Sequence, residues 1–183
     1  PIHRLRFIDG EWQEVYVTWN EQAGTFREVT APCSSDELVQ YVREESPPER
    51  DGQTIEVPCA AREWLKQVAT VMRKGYVLTI DYGYSKEELW RVERREGTLM
   101  CYSQHRAHTN PYIQIGEQDI TTHVNFSSLQ RWGEQDGLVA LQFVTQGEFL
   151  IEHGILEKLE QHQDRDPFSE VAKRNRAIRQ LVA

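Results

Sequence analysis

Two short stretches concentrate side chains that can do chemistry. The first is Asp81-Tyr82-Gly83, which ends the apolar run Tyr76 to Ile80. A carboxylate there accepts hydrogen bonds from a hydroxyl, an ammonium or a guanidinium, and the glycine permits a sharp turn and close backbone approach. The competing reading is that Asp81 caps the next turn and Tyr82 only packs. The second stretch is DITTHVNF, residues 119–126, which holds a carboxylate, two hydroxyls, an imidazole and an amide. As one continuous strand it would set Asp119, Thr121, His123 and Asn125 on one side, because side chains alternate with period two. Against that stands Asn125 as the N-cap of a helix near Ser127. A third group, Cys101, His105 and His108, has the residue types of a zinc site. Its spacing is generic, and no CxxC or HExxH frames it, so no metal is assigned.

The surrounding pattern says what must position these groups. Residues 4–30 read as antiparallel β, with Asp9-Gly10 as a hairpin turn. Residues 34–37 open a helix over DELVQYVREE, and SPPERDGQ follows as a polar joint. Ala61, Trp64, Leu65, Val68 and Met72 form one helical stripe, ended by Lys74 and Gly75. The apolar run 76–80 then predicts a buried strand, and 138–144 a second one. Helices are expected at FSSLQRWGEQDG, at 147–160 behind a Thr145/Glu148 capping box, and at about 167–182. Strands alternating with helices after residue 56 argue for an α/β sheet. In such a sheet, ligands lie beyond the carboxyl ends of the strands, where Asp81 is expected.

Composition narrows the function classes. The 183 residues carry a net charge of −8, which disfavours general binding to nucleic acid. No apolar run approaches a membrane span. Three widely spaced cysteines do not read as a disulfide framework, and a reducing compartment is expected. No two glycines are spaced G-x-G, so neither a dinucleotide fingerprint nor a phosphate loop is present, and there is no G-x-S-x-G elbow. Arg165, Lys173, Arg174, Arg176 and Arg179 form a basic cluster on or near the last helix, read as a solvated face or, alternatively, a docking surface. The chain opens on PIHRLRF and closes on RAIRQLVA, and both ends read as cuts.

An ordered set of motifs resembles the S-adenosylmethionine-dependent methyltransferase family that includes the MidA-like proteins. It comprises Asp81-Tyr82-Gly83, Gly97-Thr98 with Tyr102 and His105, and Gly116 with Asp119-Ile120-Thr121. Val124-Asn125-Phe126, Thr145-Gln146 and Phe149-Leu150 complete it, after the opening Pro1-Ile2-His3-Arg4. The resemblance implies an α/β fold: an incomplete class I, Rossmann-like methyltransferase sheet with an antiparallel β-hairpin insert lobe. Residues 1–55 would form that lobe, and 56–183 the carboxyl-terminal part of the catalytic domain.

The same resemblance implies methyl transfer from S-adenosylmethionine, with a protein arginine as acceptor. Asp81, Tyr82, Asp119 and His123 become candidate catalytic residues; Gly83, His105, Asn125 and Gln146 become candidate substrate-binding residues. No cofactor-binding residue is assigned, because the cofactor loop of the family lies upstream, and the chain alone is expected to have no measurable affinity for the donor. The partners implied are a protein substrate, in one relative a respiratory-complex subunit, and a second copy across an exposed sheet edge. The compartment implied is the bacterial cytoplasm or, in a eukaryote, the mitochondrial matrix. The rival class is a non-catalytic interaction or assembly module.

Overall fold

The structure is a computed structural model describing residues 2–160 and 166–182. It divides into two compact units, Pro1–Val139 and Ala140–Ala183. The boundary expected at 55/56 falls within a strand that pairs with the first strand of the chain.

Four antiparallel strands build the largest sheet: β1 (His3–Ile8), β2 (Glu11–Asn20), β3 (Thr25–Ala31) and β4 (Thr54–Val57), in the order β3-β2-β1-β4. Asp9 and Gly10 both have positive φ, at 52° and 83°, as a two-residue type I′ hairpin requires. Alternation sets the two faces of β1. Leu5 and Phe7 are buried, while Arg4 and Arg6 reach across to the Glu28 carboxylate at 2.7 and 2.6 Å.

Helices α1 (Asp36–Glu45) and α2 (Cys59–Val71) have the predicted helical pattern, as does α4 (Phe126–Gln135), which is followed by Gly137 at φ 88°. Between α2 and α4 lie β5 (Gly83–Tyr84), α3 (Lys86–Leu89), β6 (Met100–Ser103), β7 (Arg106–His108), β8 (Asp119–Thr121) and β9 (Val124–Asn125). β5 pairs with β9 in parallel, and β6 pairs antiparallel with β7 and β8. One core joins these pieces. Leu5, Leu38, Tyr41, Ile55, Val57, Leu65, Leu89, Trp90 and Trp132 come together from β1, α1, β4, α2, α3, α4 and the residue after α3. The result is an α/β arrangement with several small sheets of mixed direction.

The second unit holds α5 (Gln146–Glu152) and α6 (Glu170–Leu181). Thr145 and Glu148 cap each other reciprocally, as their spacing predicts. The helix expected over 147–160 stops at Glu152, and after Gly154, at φ 79°, a 3₁₀ turn runs over Ile155–Lys158. The Asn175 amide bonds both backbone groups of Glu160, at 2.8 and 3.1 Å, and ties that turn to α6. Within the basic cluster, Lys173 pairs with Glu170, Arg174 with Glu160, and Arg176 donates to the Pro167 carbonyl. Arg165 lies outside the described residues.

Two sequence expectations need correction. The predicted buried strands at 76–80 and 138–144 join no ladder among the described residues, and much of both is exposed, Tyr76 at 87 % and Leu141 at 73 %. An apolar run signals a preference for burial. A strand also needs a neighbour to take its backbone groups, and none in the described chain does. The stretch 119–126 is likewise not one strand. It breaks at Thr122-His123, where the His123 N–H is taken by the Thr98 hydroxyl at 3.0 Å, so Asp119 and His123 do not share a strand face. No described helix is long and apolar enough to cross a membrane.

Candidate functional site

The Gly97-Thr98 loop and the break at Thr122-His123 meet over the end of β4. Glu56, in β4, accepts from the Thr98 backbone N–H at 3.0 Å and from the Thr98 hydroxyl at 3.0 Å. Thr98 Oγ in turn accepts the His123 N–H. Gly97, at φ 86°, has no alternative here: a Cβ would stand 2.3 Å from Glu56 Oε1. Burial pushes the Glu56 carboxyl above its ordinary range, outweighing the hydrogen bonds from Thr98 that pull the other way.

These residues line a small pocket of about 20 Å³, room for about one water, that opens to solvent. Its walls include Tyr41, Leu89, Trp90, Thr122, His123 and Asn125. The His123 ring meets Tyr84 edge-on at 5.2 Å between centroids, and Tyr84 carries the Arg94 guanidinium 4.2 Å above its ring. Burial lowers the His123 pKa, and Arg94 lowers it further, so the imidazole is neutral at physiological pH. Its Nδ1 is buried with no hydrogen-bond partner. A neutral imidazole can accept a proton or a hydrogen bond through whichever ring nitrogen carries no hydrogen.

Asn125 fills the role of the N-cap reading. Its Oδ1 accepts the Ser128 N–H at 3.1 Å and its Nδ2 donates to the Tyr41 hydroxyl at 3.1 Å. It is 4 % exposed, so its amide serves the fold before any ligand. From it a buried polar chain continues. Tyr41 lies 3.4 Å from Ser128 Oγ, Ser128 donates to Glu45 at 2.6 Å, and Arg131 pairs with Glu45 and Glu44.

The other sequence candidates fall elsewhere. Gly83 pairs with Val124 in the β5–β9 ladder, and a Cβ there would stand 2.3 Å from the Val124 carbonyl oxygen and 2.7 Å from the Phe126 ring. Its lack of a side chain serves packing. Asp81 is exposed, and its carboxylate accepts the Tyr82 N–H at 2.7 Å, the turn-capping alternative. Tyr82 is 80 % exposed, and its carbonyl takes the Val124 N–H at 2.8 Å. Asp119 is exposed in β8 opposite Tyr102, and neither it nor Asp81 lines the cavity. His105 sits in the β6–β7 turn at φ 62°, exposed, and Gln146 is exposed at the start of α5 in the other unit. Among the described residues no group of three or more His, Cys, Asp or Glu could hold a metal ion.

Sequence reasoning passed over Glu56, Tyr41, Ser128, Glu45 and Arg131. The one available signal was a carboxylate inside the short apolar run TIEV, where alternation ordinarily assigns it to solvent.

The cavity does not fit S-adenosylmethionine itself. At about 20 Å³ it has no room for a nucleoside. What the lining offers is a neutral imidazole beside aromatic and apolar walls.

Residues 1–144 match the family described as "Putative S-adenosyl-L-methionine-dependent methyltransferase". The chain is 28 % identical over 148 residues to the Drosophila melanogaster protein named "Protein arginine methyltransferase NDUFAF7 homolog, mitochondrial", covering 76 % of this chain and 31 % of that one. Two solved chains of the COG1565 superfamily from Burkholderia thailandensis align over all of it. One, bound to S-adenosyl-homocysteine, gives a TM-score of 0.86 at 28 % identity with 46 % of its length covered. The other, a native crystal structure, gives 0.85 at 29 % with 48 % covered. The chain thus spans about half the length of the solved relatives and about a third of the fly protein. With most of its length matched by the family and its fold reproduced in both solved relatives, the chain belongs to the S-adenosylmethionine-dependent methyltransferases of the MidA-like family.

Proposed function

We propose that this chain forms the acceptor side of a methyltransferase that modifies a protein arginine, with His123 as the group that takes the proton released. The observation that carries the reading is the His123 ring: neutral, with its Nδ1 unpartnered, in the wall of a cavity built from residues within the family match. Methyl transfer would form a bond from a guanidinium nitrogen to the methyl carbon and break that carbon's bond to the donor sulfonium, which would leave as a neutral thioether; the one proton released is what a neutral imidazole is suited to receive. Arginine as acceptor is supported by the name of the fly relative. The methyl donor would be held by residues other than those lining this pocket.

The test is a graft. Residues 2–144 replace the matching region of the Burkholderia chain, and labelled methyl groups are followed into protein. Label recovered as methylarginine, lost on His123→Ala, is the expected result. Label on another residue type, or undiminished transfer by His123→Ala, overturns it.

One observation favours the second reading, a docking module. The β2–β3 arm leaves Trp19 and Phe26 exposed in an edge-to-face pair at 5.0 Å, on a sheet whose β3 edge has no partner strand among the described residues. Self-association abolished by Trp19→Ser, measured by light scattering, would support that arm as the contact between copies.

A further inference from the structure

We propose that Glu56 is a positioning residue for the acceptor site, acting on His123 through Thr98. The inference deepens the reading of His123 above and rests on it. Three chain segments converge on one carboxylate. β4 supplies Glu56, the loop after α3 supplies Thr98, and the break between β8 and β9 supplies His123. The directions of the hydrogen bonds are fixed by chemistry. The His123 N–H can only donate, so Thr98 Oγ accepts it and sends its own proton onward to Glu56 Oε2. The Thr98 backbone N–H donates to Oε1 of the same carboxylate. Two donors of one residue thus anchor on two oxygens of another, which fixes both the position and the rotation of Thr98.

The consequence falls on His123. It lies in the segment between β8 and β9 that pairs with neither neighbour, and its backbone N–H is held by Thr98. Its ring has an edge contact to Tyr84, and its Nδ1 makes no hydrogen bond. What sets the ring's place is therefore the backbone anchor. Glu56 also lines the pocket, but both of its oxygens are bonded by Thr98.

Glu56 alternates with the buried Ile55 and Val57 and so lies on the Arg4 face of β4, where covering a carboxylate without these hydrogen bonds would be costly. Arg4 favours the ionised Glu56 carboxylate less than the Thr98 hydrogen bonds do. Arg4, its register partner in β1, is already paired with Glu28 at 2.7 Å. Gly97 is constrained by the same device, since a side chain there would collide with Oε1.

The test compares variants that break the relay with variants that keep it. Thr98→Val removes the hydroxyl at constant shape, and Thr98→Ser restores it. Glu56→Ala removes both acceptors, and Glu56→Gln keeps one. The readouts are the His123 amide and ring resonances of the 183-residue chain by NMR, and kcat and KM of the graft described above. Thr98→Val and Glu56→Ala are expected to move the His123 resonances and to lower kcat about 10- to 100-fold with KM held within about twofold. Thr98→Ser is expected to match the parent. Unmoved His123 resonances in a folded Thr98→Val overturn the inference, and so do equal effects from the Ser and Val variants. If Glu56→Ala does not fold, the Thr98 pair still decides. Undiminished transfer by His123→Ala, with the resonances still moving in Thr98→Val, overturns the role given to His123 while the Glu56–His123 coupling stands.

Discussion

The carboxylate of Glu56 receives both the backbone N–H and the hydroxyl of Thr98, a residue 42 positions away in sequence, each at 3.0 Å. Gly97 makes this approach feasible. Adding a methyl group there sets a Cβ 2.3 Å from Glu56 Oε1 and places a non-glycine residue at φ 86°. Gly97→Ala is therefore expected to lower unfolding stability by about 2–4 kcal/mol, from strain at positive φ plus loss of the clamp. Urea denaturation of the two proteins measures it, and a loss under about 0.5 kcal/mol would show that the loop relaxes freely.

Gly83 tests the other close approach. Its hypothetical Cβ meets the Val124 carbonyl at 2.3 Å, a backbone atom, and the Phe126 ring at 2.7 Å, a side chain. Only the ring can move aside. Gly83→Ala is expected to separate β5 from β9 and cost about 2–3 kcal/mol. The double variant with Phe126→Ala should recover little of that, because the carbonyl clash remains; near-complete recovery would place the strain on the ring alone.

How much of this was legible in the sequence differs by element. Helices α1, α2 and α4 announced themselves by apolar spacing, and the Asp9-Gly10 hairpin by its turn residues, because those signals are local. The Thr145/Glu148 box was legible for the same reason. The runs 76–80 and 138–144 misled because composition reports a preference for burial and is silent on the pairing neighbour. The cavity was legible only through His123 and Asn125. Glu56 and Thr98 meet across 42 residues, and Glu45 and Ser128 across 83, and no spacing rule connects residues so far apart.

Arg131 probes that second long-range connection. It bonds Glu44 and Glu45, and Glu45 is 2 % exposed while also accepting from Ser128. Arg131→Met leaves a buried carboxylate without its cation, for which about 3–5 kcal/mol is expected. Arg131→Met combined with Glu45→Leu removes both charges and should recover more than half of the loss. Additive losses in thermal unfolding of the two single variants and the double would mean that the pair does not interact.

Glu14 predicts how the sheet responds to acid. It is 5 % exposed, and burial alone would raise its pKa. Hydrogen bonds from His3 at 2.7 Å, the Ser34 N–H at 2.7 Å and the Tyr16 hydroxyl at 2.8 Å outweigh that effect and hold it at about 2. The folded pKa lies below the unfolded one, so the stabilisation is fully present above about pH 4.5 and is lost as pH falls toward 2. With solvent screening the contribution is on the order of 2 kcal/mol. Glu14→Gln should lower stability at pH 7 and flatten its fall between pH 4.5 and 2; parallel acid profiles for the two proteins would remove Glu14 as the source.

His123 titrates in the opposite chemical sense. Burial, and then Arg94, disfavours its charged form, so its midpoint lies below the ordinary 6.5. Between 6.5 and that lower midpoint the unfolded chain binds more proton than the folded one, and stability declines as pH falls through this interval. Arg94→Met removes the smaller cause and leaves the larger, so the midpoint should rise part of the way and stop short of 6.5. NMR of the imidazole carbons reads both values directly. If the Arg94→Met midpoint reached 6.5 or more, charge rather than burial would be what keeps the ring neutral, and a cationic acceptor entering the cavity would depress His123 as Arg94 does.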